Sequence, residues 1–266
     1  YLPSHPFPHG HADVRDEVRV HGILDSRTEP AVRNQIGRDY ACIENLDREL
    51  GRVLTCLEET GFSDHTYVFF TSDHGIAVGR HGLNGKQNLY EHSWKVPFLA
   101  TGPGIPAQRE ASGFIYLMDL LPTFCDLAGI PVPGHVEGKS FRSVLEGDRD
   151  RIRDQVYGAY AGGSKPGIRS LKTADGWKLI QYDVNDGEVR RSQLFHLPGN
   201  PHELLQEHHA PEIVEATGNQ PEPRQIDLST RPEHAAKRAE LETLLREEMR
   251  RWGDSHLLWY QEKSER

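Results

Sequence analysis

The stretch whose reading decides the fold is residues 67–92, YVFFTSDHGIAVGRHGLNGKQNLYEH. Its opening run, Tyr67-Val68-Phe69-Phe70-Thr71, is aromatic and β-branched and predicts a buried strand. From Ser72 the texture becomes a glycine-punctuated loop carrying Asp73, His74, His81, Lys86, Glu91 and His92. In α/β proteins, ligands and catalytic groups collect where strand carboxyl ends open into loops. Asp73 and His74, side by side past a strand end, are a carboxylate and an imidazole of the kind divalent metals accept. The plain alternative is a capping aspartate beside an ordinary polar histidine. The surroundings favour the metal: Gly75, Gly79, Gly82 and Gly85 let backbone approach a ligand, and His81 and Lys86 bring positive charge to an anion. Asn84-Gly85 supplies a tight turn able to aim Lys86, against the ordinary fate of a lysine on a solvated surface.

Upstream, residues 31–60 predict a helix. Ile36, Tyr40, Ile43, Leu46, Leu50, Val53, Leu54 and Leu57 recur at three- and four-residue steps, a stripe expected to face a core. Glu44, Asp47, Arg48, Glu49 and Arg52 fall mainly on the other, solvated face. Downstream, residues 96–100 predict a second strand, ending at the rigid Gly102-Pro103-Gly104-Ile105-Pro106 turn. Residues 114–128 have a helical period, with Pro122 either kinking one helix or opening a second. From about 150, short strands at 156–161, 168–173, 177–182 and 193–197 read as an antiparallel meander. Residues 198–232 read as loop and 233–252 as a closing amphipathic helix. The expected fold is α/β. A partial sandwich domain over 1–150, mainly parallel sheet flanked by helices, is followed by a small antiparallel-sheet α+β subdomain over 151–266.

The net charge of −9 argues against a nucleic-acid surface, which wants a basic stripe. No apolar run approaches the roughly 20 residues that span a membrane. The chain opens at Tyr1 in a stretch rich in proline and histidine, as if cut from something longer. His5, His9 and His11 there are read as solvated loop histidines rather than ligands. Cys42, Cys56 and Cys125 lack metal spacing and are read as unpaired structural thiols. On one helix, Cys42 and Cys56 would lie about four turns apart, too far to bridge. His202-Glu203-Leu204-Leu205-Gln206 approaches the H-E-x-x-H zinc helix, but its fifth residue is Gln. No G-x-S-x-G elbow and no Walker A lysine occur.

Taken together, T-S-D-H-G at 71–75, H-G-L-x-G-K at 81–86, L-Y-E-H-S-x-K-V-P-F at 89–98 and G-P-G-I-P at 102–106 resemble the second half of the sulfatase family, a branch of the alkaline-phosphatase-like superfamily. The resemblance continues through Met118-Asp119-Leu120-Leu121-Pro122-Thr123, Glu137-Gly138-Lys139-Ser140, Asp175-Gly176-Trp177-Lys178 and Asn200-Pro201-His202-Glu203, and runs from about Tyr40 to His202. It implies that Asp73 and His74 are the second ligand pair for a divalent ion. The family usually holds calcium, while the imidazole keeps manganese or magnesium open. It implies that Lys86 contacts the sulfate group and that His81 belongs to the catalytic loop beside it. The implied reaction is attack of a hydrated formylglycine on the sulfur of a sulfated small molecule or carbohydrate, with the metal as Lewis acid.

The departures from the family pattern bear on activity. The nucleophile arises from Cys or Ser in a C/S-x-P-S/A-R motif, and none of the three cysteines stands in one. Ser164-Lys165-Pro166-Gly167-Ile168-Arg169 has the serine and proline but misplaces the arginine. The paired aspartates of the family's first strand are missing, and His5-Pro6-Phe7 matches the leaving-group histidine poorly. The expectation is the C-terminal portion of an arylsulfatase-like hydrolase, inactive by itself, with formylglycine outside this chain. A phosphonate or phosphate monoester hydrolase of the same superfamily and a non-catalytic remnant are the alternatives. The resemblance suggests a periplasmic or secreted setting; the oligomeric state stays open.

Overall fold

The computed structural model describes residues 3, 5–7, 28–160, 167–256, 258 and 259. The first elements in chain order are α1 (Glu29–Glu59), β1 (Val68–Thr71), β2 (Ala77–Val78), β3 (Asn84–Gly85), α2 (Glu91–Trp94) and β4 (Phe98–Thr101). Next come α3 (Leu120–Leu127), α4 (Arg142–Leu145), β5 (Gln155–Tyr160), β6 (Gly167–Thr173), β7 (Trp177–Val184) and β8 (Val189–His196). The chain closes with α5 (Pro211–Thr217) and α6 (Ala235–Arg251). These elements fall into two compact units, neither continuous in sequence. One comprises Tyr1–Ile36, His74–Lys95 and Tyr157–Arg266, the other Gly37–Asp73 and Val96–Val156.

The first unit is built on the sheet β5-β6-β7-β8, whose neighbouring strands follow one another in sequence. β6 and β7 pair antiparallel with Ile168 opposite Tyr182 and Lys172 opposite Lys178, and β7 pairs antiparallel with β8. Because side chains alternate across a strand, the sheet has two different faces. Ile168, Ile180, Tyr182, Val184 and Phe195 pack with Leu89, Tyr90 and Leu205. Leu171, Leu179 and Leu194 pack with Leu241, Leu245 and Met249 of α6. The meander and the closing helix are therefore where the strand and helix periods put them. The segment expected as loop at 198–232 holds the short α5, begun by Pro211 at its first position.

In the second unit β1 and β4 pair antiparallel, Val68 opposite Thr101 and Thr71 opposite Phe98. Every pairing whose register is described is antiparallel, so these two strands do not themselves supply the parallel sheet expected of the α/β part. Phe69 packs on Phe124 of α3, ring centroids 4.9 Å apart. Pro122 sits in the first turn of α3, after a 3₁₀ turn at Leu117–Asp119, so it opens a new helix rather than kinking an old one. Gly102 lies against Tyr67, where a Cβ would come within 2.4 Å of the ring. Asp119, fully buried, accepts the backbone N–H groups of Tyr116 and Lys139 and pairs with Arg153.

One expectation is corrected. The helix at 31–60 forms, but no residue of α1 is buried, and Tyr40 and Val53 are 68% and 65% exposed. Periodicity reports a helix with one apolar face; it does not report what lies against that face. Cys42 and Cys56 are free thiols, exposed on α1. No helix among the described residues is long and apolar enough to cross a membrane.

Candidate functional site

The loop His74–Lys95 belongs to the first unit and is closed at its base by backbone. Gly75 donates its N–H to the carbonyl of Ser93 at 2.8 Å. A Cβ on Gly75 would lie 2.0 Å from the carbonyl oxygen of His92, so only glycine lets the two ends of the loop touch. Inside this closure β2 and β3 form a small antiparallel hairpin, Ala77 opposite Gly85 and Val78 opposite Asn84. Lys86 leaves the hairpin directly after β3.

That geometry brings Lys86 to His74. The Nζ of Lys86 stands 3.0 Å from Nε2 of His74, and Nδ1 of His74 lies 2.8 Å from the carbonyl of Gly75. A carbonyl only accepts, and an ammonium only donates. His74 is therefore protonated at Nδ1 and presents its lone pair at Nε2. A second partner that fixes the tautomer in this way is the usual companion of a metal-ligating histidine. Asp73, the last residue of the second unit, is exposed, with the Ser72 hydroxyl 3.5 Å from its carboxylate. No group of three or more His, Cys, Asp or Glu able to hold a metal occurs among the described residues.

His81 lies elsewhere. It is 1% exposed, stacks on Tyr90 at 4.1 Å between ring centroids, and donates from Nε2 to the carbonyl of Glu203 at 2.8 Å. Burial, with the neighbouring His92, holds its pKa well below the usual histidine value, so it is neutral. Its ring is packed in the core under the loop. Glu91 and His92 also turn inward. Burial raises the Glu91 pKa, but Lys178 and Lys172 outweigh it and bring the carboxyl down to about 2. Lys178 Nζ is 2.9 Å from Glu91 Oε1 and 2.7 Å from Glu203 Oε1, while Lys172 Nζ is 2.6 Å from Glu91 Oε2.

Lys172, Lys178 and Glu203 had no functional reading in the sequence, though a signal was present. Two lysines opposite each other on adjacent predicted strands repel unless an acid stands between them. Glu203 was visible in a failed zinc motif and at the end of Asn200-Pro201-His202-Glu203, neither of which gave it a role. His5, expected to be solvated, is instead packed with Phe7 and Tyr182, its Nδ1 2.8 Å from the Phe7 carbonyl. His9, His11 and Ser164 lie outside the described residues. Arg169 of the near-miss serine motif is buried and paired with Asp254 at 2.5 Å, far from any nucleophile role.

The family model for sulfatases matches residues 3–130, and the model described as N-sulphoglucosamine sulphohydrolase, C-terminal, matches residues 79–221. The chain belongs to the sulfatase family. It is 31% identical to arylsulfatase K of Bos taurus over 66% of this chain and 34% of that protein. The corresponding match in Gallus gallus is 34% identical over 62% of this chain and 32% of that protein. An extracellular sulfatase SULF-1 homolog of Drosophila melanogaster is 39% identical over 42% of this chain and 10% of that protein. The chain thus spans about a third of the length of the arylsulfatase K relatives it matches.

Among solved structures, BT4656 in complex with its substrate D-glucosamine-2-N,6-O-disulfate superposes with a TM-score of 0.64 at 25% identity, over 80% of this chain and 40% of that one. The phosphonate monoester hydrolase SpPMH from Silicibacter pomeroyi superposes with a TM-score of 0.68 at 22% identity, over 87% of this chain and 44% of that one. The second likeness speaks for the fold alone.

Proposed function

We propose that this chain is the C-terminal portion of a sulfuric ester hydrolase acting on a sulfated saccharide or other small sulfate ester. The observation that carries the reading is the 3.0 Å contact between Lys86 and His74. It sets an anion-binding ammonium one hydrogen bond from a metal-type ligand. Asp73 and His74 would hold the divalent ion, calcium by family habit, with manganese or magnesium as alternatives. When bound, such an ion polarises the sulfate oxygens as a Lewis acid, and formylglycine, from outside this chain, supplies the nucleophile. Lys86 neutralises charge on the transferring sulfuryl group, where a fixed donor stabilises the transition state. The Gly75–Ser93 closure keeps Lys86 and His74 in register, and the His74 Nε2 lone pair, once given to the ion, would release the Lys86 ammonium to the sulfate. His81 supports the loop from below through Tyr90 and Glu203. The division into a catalytic part over 1–150 and a subdomain over 151–266 belongs to the same proposal.

The saccharide class is supported by the sulfated glucosamine bound to BT4656 and by the matched sulphohydrolase model. The test is turnover by the whole protein of an aryl sulfate against an aryl phosphonate monoester. Preference for the sulfate is expected; preference for the phosphonate would replace the reading by its alternative. Turnover of an aryl sulfate by the 266-residue chain by itself would overturn the placement of the nucleophile outside it.

A further inference from the structure

Two groups at opposite ends of the Lys86 segment converge on one residue, Glu203. At the upstream end, the Glu203 carbonyl accepts from His81 Nε2 at 2.8 Å. At the downstream end, the Glu203 carboxylate accepts the backbone N–H of Glu91 at 2.6 Å. The same carboxylate meets Lys178 at 2.7 Å, and Lys178, fully buried on β7, also holds the Glu91 side chain. Just before His81, the Arg80 guanidinium donates to Nδ1 of His202, at 2.9 Å. Glu203 is 1% exposed and sits at φ 53, a left-handed conformation that a non-glycine residue adopts only when its surroundings impose it. The turn that carries it is fixed in its own right: Asn200 donates to the Leu204 carbonyl and accepts the Leu204 N–H.

A buried carboxylate is costly unless it is paired and hydrogen-bonded. Here the carboxylate's partners are Lys178 of the sheet and the N–H of Glu91 on the downstream stem, while the Glu203 main-chain carbonyl holds the upstream stem at His81. We propose that Glu203 is a positioning residue for Lys86: it ties residues 81 and 91 to the sheet, and so fixes where the hairpin between them delivers the ammonium. The proposal rests on the reading of Lys86 as the sulfate-contacting group. Its chemistry is geometric, and a displacement of about 1 Å of a catalytic group can cost roughly a hundredfold in rate.

A double-mutant cycle in the whole protein tests it, with an aryl sulfate as the probe. Glu203→Gln should lower kcat by about ten- to a hundredfold, and Lys86→Ala should lower it further. The double variant should turn over no more slowly than Lys86→Ala alone, because Glu203 acts only through the lysine. Amide hydrogen exchange at residues 82–90 should quicken in Glu203→Gln while β6 and β7 stay protected. Wild-type turnover in Glu203→Gln, or the same fold-loss in both backgrounds, would overturn the proposal. Wild-type turnover in Lys86→Ala would instead overturn the reading of Lys86 and take this proposal with it. If Glu203→Gln does not fold, the pair Glu203→Gln/Lys178→Met, which removes both charges together, enters the same cycle and is judged by the same outcomes.

Discussion

Lys86 and His74 are twelve residues apart in sequence and 3.0 Å apart at Nζ and Nε2. The approach depends on the closure at Gly75 and the β2–β3 hairpin, and the predictions follow from how that arrangement is held.

Gly75→Ala should open the loop. The added methyl would lie 2.0 Å from the His92 carbonyl oxygen, against backbone that cannot swing aside. A loss of roughly 1–3 kcal/mol is expected, the usual cost of forcing atoms into packed space. Urea denaturation of the two proteins measures it. An unchanged midpoint would mean that the loop base is not packed as described.

Acid should weaken the first unit before it reaches the carboxylates. Burial lowers the pKa of His5 and of His208 from 6.5 to about 4. The unfolded chain therefore binds more protons than the folded one between those values, so stability rises with pH there. The contribution of these two groups should be full above about pH 6.5, fall as pH drops towards 4, and level off below, where the more deeply lowered His92, at about 3, continues the loss. Each group contributes at most about 1.4 kcal/mol per pH unit. His208 gives the mechanism, since its Nδ1 accepts the Leu205 N–H at 3.0 Å and a protonated ring cannot accept. His208→Gln should flatten part of the slope in urea titrations between pH 4.5 and 7, and an unaltered slope would remove His208 from the account.

Asp119→Ala should destabilise the second unit strongly. Asp119 holds two backbone N–H groups and the Arg153 guanidinium, and its loss leaves that arginine nearly buried without its partner. Breaking a buried pair from one side costs about 3–5 kcal/mol. Restoring neutrality with Asp119→Asn/Arg153→Met should recover part of it, and a denaturation series on the wild type and the two variants reads the difference.

Much of this was legible in the sequence. The period-two runs at 168–173 and 177–182 marked β6 and β7, and the glycines and polar groups after Thr71 marked the loop. The site was legible only in part. Asp73, His74 and Lys86 share one segment, so a sequence motif can show them together. Glu203 and Lys178 reach the loop from more than eighty residues away, and nothing local marks a glutamate as buried. His81 sits among Asp73, His74 and Lys86 in sequence, and its ring turns inward to stack on Tyr90, which the motif does not show. The apolar stripe of α1 misled, since amphipathicity names a face and not its neighbour.

The central claim is that Lys86, set beside His74 by the hairpin, binds the sulfate group during turnover. The direct measurement is hydrolysis of an aryl sulfate by the whole protein and by its Lys86→Ala variant, each with its metal bound and each shown to be folded. The account predicts that kcat/KM falls by at least about a hundredfold, the scale of losing one transition-state donor. An unchanged kcat/KM would contradict it.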